Sequence, residues 1–281
     1  MRFSLYDLHA HSTASDGTLT PAELVRAATA SGIRTLALTD HDSVAGLPEA
    51  AAAAADQGLR LVPGVELSVT WESRTIHVVG LNIAPDHPDL NEGMRRLQAV
   101  RARRAEEIGH RLEKKGIPGT FEIASALAGA GMVTRTHFAR ALVQLGHAAS
   151  VRDVFDKFLA QGKPGHVPTV WAEMATAVGW IVGAGGVPVL AHPQRYKMTG
   201  SWIRRLTGDF KAAGGQAVEV ISGNAALSDI QTNTALARRF ELLASVGSDY
   251  HGPEQVWLKL GKIPPLPDGL APVWTRWETE R

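Results

Sequence analysis

The stretch Arg34-Thr35-Leu36-Ala37-Leu38-Thr39-Asp40-His41-Asp42 is a short apolar strand that ends in three ionisable side chains. That ending recurs along the chain. Asp7-Leu8-His9-Ala10-His11 closes a strand expected over Phe3 to Leu8, and Glu66 follows Val62-Pro63-Gly64-Val65. His192 ends the strand Val187 to Ala191, and Asp249-Tyr250-His251 follows the strand Leu242 to Val246. Short strands alternating with helices form either a barrel or a doubly wound open sheet. A barrel builds its site at one rim from several strands, whereas an open sheet uses a few strands around one crevice. So many polar strand ends favour the barrel. A count of about seven strands suggests an α/β, TIM-like (β/α) barrel other than the eight-stranded form.

The remaining elements fit that rhythm. Thr20-Pro21-Ala22-Glu23 is a capping box with proline at the first helical position, opening a helix that stops near Gly32. An Ala-rich helix is expected from Val44 to Gln57, then a strand from Leu59 to Val69 interrupted at Pro63-Gly64, then an antiparallel strand from Thr75 to Ile83. From Asp89 to about Lys163 helical patterning runs with few breaks, which reads as a small all-helical insertion. Helices over Trp171 to Ala184, Ser201 to Ala213 and Leu227 to Phe240 then alternate with strands again. The expected division is barrel first half 1–98, lid-like insertion 99–168, and barrel second half with an irregular Pro- and Trp-rich tail 169–281.

With 281 residues, 44% hydrophobic and 20% charged, the chain has the composition of a soluble globule with a large core. Its formal charge of +1 supports neither a polycationic DNA-coating role nor an acidic disordered one. Cysteine is absent, which removes disulfides, thiolate metal sites and a Cys nucleophile. A metal must then be held by His, Asp and Glu, a donor set suited to Mn, Zn, Fe or Mg. The start lacks a signal-peptide core and no apolar run approaches the ~20 residues of a membrane span, so a cytoplasmic protein without membrane partners is expected.

His9 and His11 stand at i and i+2, on one face of an extended chain. Asp16 sits in the loop beyond, with Gly17 permitting a tight turn, and Asp7 could orient an imidazole. His41 is the candidate ligand of its strand end, with Asp40 as support and as a candidate catalytic residue, while Asp42 or Ser43 could equally cap a helix. Glu66, an acid within a strand, is costly to bury unless paired or coordinated. His77 has the bland reading of a structural strand histidine, yet it would face the same lumen as Glu66. His192 and the pair Asp249/His251 complete the set. Three divalent ions bring +6 against −3 from Asp16, Glu66 and Asp249, and a surplus of about +3 suits a phosphate dianion and acidifies bound water. Among weaker candidates, His137 could be functional. Arg101-Ala102-Arg103-Arg104, followed by Glu106 and Glu107, reads as a solvated helix face, with RNA guidance as the alternative.

On Asp7-Leu8-His9-Ala10-His11-Ser12, Thr39-Asp40-His41-Asp42, Leu190-Ala191-His192-Pro193 and Ser248-Asp249-Tyr250-His251, with Glu66 and His77 between, the chain resembles the PHP (polymerase and histidinol phosphatase) family. The resemblance spans residue 3 to about 262. It implies a distorted seven-stranded barrel with two or three divalent ions, manganese first. By match, His9, His11, Glu66 and Asp249 would hold one ion, Glu66 with His77 and His192 a second, and Asp16, His41 and His251 a third. His192 or a metal-bound water would protonate the leaving alkoxide. Thr134-Arg135-Thr136-His137, Gly162-Lys163-Pro164 and Pro193-Gln194-Arg195 resemble the subgroup that dephosphorylates 3′,5′-nucleoside bisphosphates, some relatives of which trim short RNA from the 5′ end. That likeness implies phosphate-gripping roles for Arg135 and Arg195, against a plain helix-start surface charge for Arg135. No obligate protein partner is implied. The rivals are a histidinol-phosphate phosphatase, which shares the metal site, and a metal-dependent amidohydrolase, which usually wants a strand lysine that this chain lacks.

Overall fold

Seven strands follow one another around the molecule, and the motifs that carry acids and imidazoles seal it. The computed structural model describes residues 3–278. The strands are β1 (Tyr6–Asp7), β2 (Thr35–Leu38), β3 (Arg60–Trp71), β4 (Arg74–Leu81), β5 (Ala172–Glu173), β6 (Val187–Leu190), β7 (Ala217–Ser222) and β8 (Leu243–Gly247). Pairing runs β1-β2-β3-β4-β6-β7-β8, with β5 attached to β3. Only β4 is antiparallel to its neighbours β3 and β6. Between β8 and β1 the ring closes through single bonds: Leu8 N donates to Val246 O, Asp249 N to His9 O and His11 N to Tyr250 O. The result is a nearly closed, distorted seven-stranded α/β barrel.

Helices α1 (Pro21–Ala30), α2 (Leu47–Gln57), α7 (Met174–Gly183), α8 (Gly200–Ala212) and α9 (Leu227–Arg239) flank the strands, while α3 (Pro88–Glu113), α4 (Thr120–Ala128), α5 (Arg135–Gln144) and α6 (Val151–Val154) lie between β4 and β5. The capping box of α1 forms as its sequence dictates: Thr20 Oγ1 accepts from Glu23 N, and Glu23 Oε2 accepts from Thr20 N. Leu8, Ala37, Val62, Val79, Val189, Ala217 and Val273 form one buried cluster, a layer drawn from successive strands and plugged by the tail. A separate cluster containing Ile108, Leu112, Phe138, Leu142 and Leu159 is the core of the helical segment. Helix α3 runs unbroken from Leu90, Met94 and Leu97 on the barrel core to Ile108 and Leu112 in the helical one.

Some elements differ from expectation. Pro63-Gly64 does not interrupt β3, because Pro63 pairs with Leu38 of parallel β2 and its carbonyl still accepts from Ile83 N. The first strand shrinks to two residues, since its start divides its bonds: Ser4 N donates to Ile263 O while Leu5 O accepts from Arg34 and Thr35. Strand β5 lies where a helix from Trp171 is expected; two residues are too few to show a period. Arg101 is buried, not solvated: its guanidinium bonds Asp42 and Ser68 and stacks 5.1 Å from the Trp171 ring centroid. Among the described residues, no helix is long and apolar enough to cross a membrane.

Candidate metal centre

His9, His11, His41, His192, Asp249 and His251 follow strand ends, Glu66 and His77 project from within β3 and β4, and Asp16 comes from a loop. After three of the strands the backbone bends sharply. Asp42, His192 and Asp249 take positive φ values of 47°, 30° and 54°. Such values in residues other than glycine are uncommon and concentrate at functional sites. Gly247 permits the last turn, since a Cβ there would lie 2.3 Å from His9 Cβ.

Glu66 is the hub. Its Oε1 lies 2.9 Å from His77 Nδ1, 3.0 Å from His192 Nε2 and 3.4 Å from His9 Nε2. Its Oε2 lies 2.8 Å from His41 Nδ1 and 3.4 Å from His11 Nε2. Asp249 Oδ1 stands 3.1 Å from His11 Nε2 and 3.4 Å from His9 Nε2. Asp16 Oδ1 faces His251 Nε2 at 3.3 Å and His11 Nδ1 and His41 Nε2 at 3.9 Å. Three groups thus have ligand atoms within 4.8 Å of one another: His9, His11, Glu66 and Asp249; His11, Asp16, His41 and His251; and His41, Glu66 and His77. His192 touches Glu66 but lies outside these groups, while His11, His41 and Glu66 are each shared by two of them.

The electrostatics follow from burial against close partners. Burial opposes ionisation of Glu66, yet His77, His41 and His9 outweigh it and hold the carboxyl well below its ordinary range. Asp16 and Asp249 are likewise held low despite burial, Asp16 chiefly by His251 and Asp249 chiefly by Arg195. His41 is pushed down to about 4 by burial. The acids are therefore charged in a crowd of imidazoles. His9 Nε2, His11 Nε2, Asp16 Oδ1, His41 Nδ1, Glu66 Oε2 and His77 Nδ1 are all buried without a hydrogen bond of proper geometry. Orphaned buried polar atoms cost about 1–3 kcal/mol each. Every one is a lone-pair donor, and hard divalent cations satisfy such a set. The residues fit metal ions.

The structure also separates ligand candidates from their supports. Asp40 has both oxygens engaged: Oδ1 accepts from Ser12 N and Ser15 Oγ, and Oδ2 from Ser12 Oγ. It braces the loop that carries Asp16 and has no free oxygen for proton transfer. Asp7 accepts from Ser248 N rather than from an imidazole. The imidazole support is Glu219, which the sequence reading missed: Oε1 sits 2.5 Å from His9 Nδ1 and Oε2 accepts His192 N at 2.7 Å. An acid midway along the apolar strand Ala217–Ser222 was the available signal, the same one that singled out Glu66. His137 is buried, and its Nδ1 accepts from Thr134 N as the cap of α5. Thr134 and Thr136 of that cap donate to Asp16 Oδ2 at 3.2 and 2.8 Å, so the helical segment grips the site directly. Arg195 is ion-paired with Asp249.

One cavity opens on the cluster, and a second is separated from it by Tyr196, whose hydroxyl accepts from His77 N and whose ring meets that of His192 edge-on. The first, about 420 Å³, borders His192, Arg195, Asp249 and His251. The other, about 700 Å³, is lined by Arg74, Arg104, Arg135, His166, Tyr196 and Lys197 among others. Arg104 stacks 5.4 Å from the Trp171 centroid and Arg135 5.4 Å from that of Phe155. Neither has a carboxylate partner among the described residues, and Arg104 Nε has no hydrogen bond. Burial, then the charges of Arg135 and Arg101, push Arg104 down to about 8. A guanidinium keeps its proton, so that depression reads as demand for an anion.

A barrel rim that gathers buried acids and imidazoles beside a cationic cavity defines a metal-dependent hydrolase. A family model described as "PHP domain" matches residues 7–159. The chain is 47% identical to a 5′-3′ exoribonuclease of Haemophilus influenzae, over 96% of this chain and 98% of that protein. It is also 47% identical to a 3′,5′-nucleoside bisphosphate phosphatase of Chromobacterium violaceum, over 97% of this chain and 96% of that one. A solved structure from Chromobacterium violaceum, described as an amidohydrolase with bound sulfate and no metal, superposes with a TM-score of 0.93 at 47% identity, covering 97% of this chain and 95% of its own. The chain belongs to the PHP domain family. It is a metal-dependent hydrolase of phosphate esters.

Proposed function

We propose that the chain takes 3′,5′-nucleoside bisphosphates such as pAp to the nucleoside 5′-phosphate plus phosphate, and trims short oligoribonucleotides from the 5′ end, in the cytoplasm. The observation that carries this reading is the pair of half-buried guanidiniums Arg104 and Arg135, without a carboxylate partner among the described residues, in the larger cavity. A substrate with one phosphate leaves such a pair unanswered; a second phosphate answers it bidentately. Segment 99–168 acts as a lid that brings these cations over the rim, and Thr134 and Thr136 fix its place by holding Asp16.

His9, His11, Asp16, His41, Glu66, His77, His192, Asp249 and His251 are the residues that would hold two or three ions, manganese first and zinc, iron or magnesium as alternatives. When bound, the ions polarise the phosphoryl oxygens and acidify water for in-line attack. Glu219 fixes the tautomer of His9 so that Nε2 offers its lone pair to the cluster. Arg195, ion-paired with Asp249, would grip the substrate phosphate at the rim. Against an amidohydrolase, none of the described strands carries a lysine.

Turnover of pAp, AMP and histidinol phosphate by the manganese-loaded enzyme tests the reading. Preference for pAp is expected, with Arg104→Ala and Arg135→Ala each lowering kcat/KM for pAp by roughly 10- to 100-fold, the worth of a charge-assisted contact. Preference for histidinol phosphate overturns it.

A further inference from the structure

The two cavities share no lining residue. The turn Pro193–Tyr196 stands between them, turning Gln194 and Arg195 to one and Tyr196 to the other. The larger holds the acid-free guanidiniums against β3, β4 and the helical segment. The smaller, about 420 Å³, lies against β7, β8 and the loops after them, and its chemistry differs. Its one guanidinium, Arg195, is already matched by Asp249, and its acid is Asp229. Away from the ligand candidates His192, Asp249 and His251, the remaining polar lining is neutral: Gln194, Ser222, Asn224, Asn233, Gln255 and the ring of Trp257.

Trp257, 64% exposed, offers ring surface to solvent at the edge of this cavity. Ser222 Oγ and Gln255 Oε1 have no hydrogen-bond partner among the described residues. A neutral polar pocket with an open aromatic face suits a nucleoside: the base stacks on the ring, and sugar or base edges take the unmatched oxygens.

We propose that this smaller cavity is the subsite for the nucleoside on the 3′ side of the scissile phosphate in a 5′-phosphorylated oligonucleotide. The proposal rests on the phosphoester reading above and adds a direction to it. The terminal 5′-phosphate and first nucleoside lie on the Arg104–Arg135 side, the bridging phosphate lies on the cluster, and the chain leaves over Trp257. Water adds to that phosphorus, the bond to the 3′-oxygen of the first nucleoside breaks, that oxygen leaves with a proton, and the phosphate stays on the 5′-oxygen of the second nucleoside. The first nucleotide is released as a 5′-monophosphate. With pAp the same phosphate is terminal, no nucleoside follows it, and the Trp257 end of the smaller cavity is not used. One centre thereby serves a monoester and a diester.

The test compares Trp257→Ala with wild type on pAp and on the dinucleotide pApA, both enzymes loaded with manganese. For pApA, kcat/KM is expected to fall at least about fivefold, the lower range for loss of one base-stacking contact. For pAp it stays within about twofold, and Trp257→Phe restores pApA turnover. A second readout is binding of a phosphorothioate-linked pApA, expected to weaken by a similar factor in Trp257→Ala. Equal loss on both substrates, or no loss on pApA and no weakening of phosphorothioate binding, overturns the subsite. Wild-type enzyme that turns over neither pAp nor pApA overturns the phosphoester reading instead, and the binding readout still decides the pocket.

Discussion

Glu219 holds His9 from behind, its Oε1 2.5 Å from Nδ1 while the opposite ring nitrogen points at Glu66 and Asp249. The second oxygen accepts the backbone N–H of His192. One carboxylate therefore orients one ligand candidate and anchors the loop of another. Supports of this kind are worth about 10- to 100-fold in metal affinity or activity. Glu219→Gln should lose that much manganese affinity in a competition titration while its urea midpoint changes little; unaltered affinity would remove Glu219 from the site.

Arg101 ties the helical segment to the barrel. Its Nε lies 2.6 Å from Asp42 Oδ2 and its Nη2 2.6 Å from Ser68 Oγ, all three residues buried. Removing one partner leaves a buried charge alone, at a cost of about 3–5 kcal/mol. Arg101→Ala should lower urea stability by that order, and adding Asp42→Asn should recover part of it. Additive losses would mean that the pair is not coupled.

Gly247 sits where β8 passes His9. An added methyl would land 2.3 Å from His9 Cβ, which no rotation of the imidazole relieves. Gly247→Ala should cost about 1–3 kcal/mol as overpacking and weaken metal binding as well. Gly179, within helix α7 and facing open space, is the control, and Gly179→Ala should be neutral or stabilising by up to about 1 kcal/mol. Equal effects at both positions would contradict the close approach.

Burial pushes His137 down to about 4, so the ring stays neutral and accepts the Thr134 N–H. The unfolded chain gains a proton near the usual value of about 6.5, and the folded one does not until about 4. Stability is therefore lost as pH falls through that window, by about 2 kcal/mol between pH 7 and pH 5. Replacing the ring by an amide should remove that share, so urea unfolding of His137→Gln should fall less over the same interval. Parallel slopes would show that His137 does not titrate as described.

The barrel was legible because its strands are short, apolar and closed by acid or imidazole, a pattern that needs no partner to be seen. The α1 cap was legible for the same reason, as Thr20 and Glu23 bond each other. Strand β5 was not, because its two residues owe their form to Val69 and Thr70 about a hundred positions earlier. Neither was the fate of Arg101 and Arg104: the charges after them read as a solvated face, which Arg103 keeps, and only Asp42 and Trp171, distant in sequence, bury Arg101 and half-cover Arg104. Glu219 was missed although Glu66 was found, since no motif surrounds it. The capping role of His137 was hidden because a histidine replaces the usual Glu or Gln of the box.

The most direct test is a paired assay on one sample: metal content per chain and phosphate release from pAp, before chelation, after it, and after manganese is restored. Two or three equivalents with turnover are expected at first, neither after chelation, and both on restoration, with His11→Ala deficient throughout. Undiminished phosphate release from metal-free protein would contradict the metal centre at the heart of the reading.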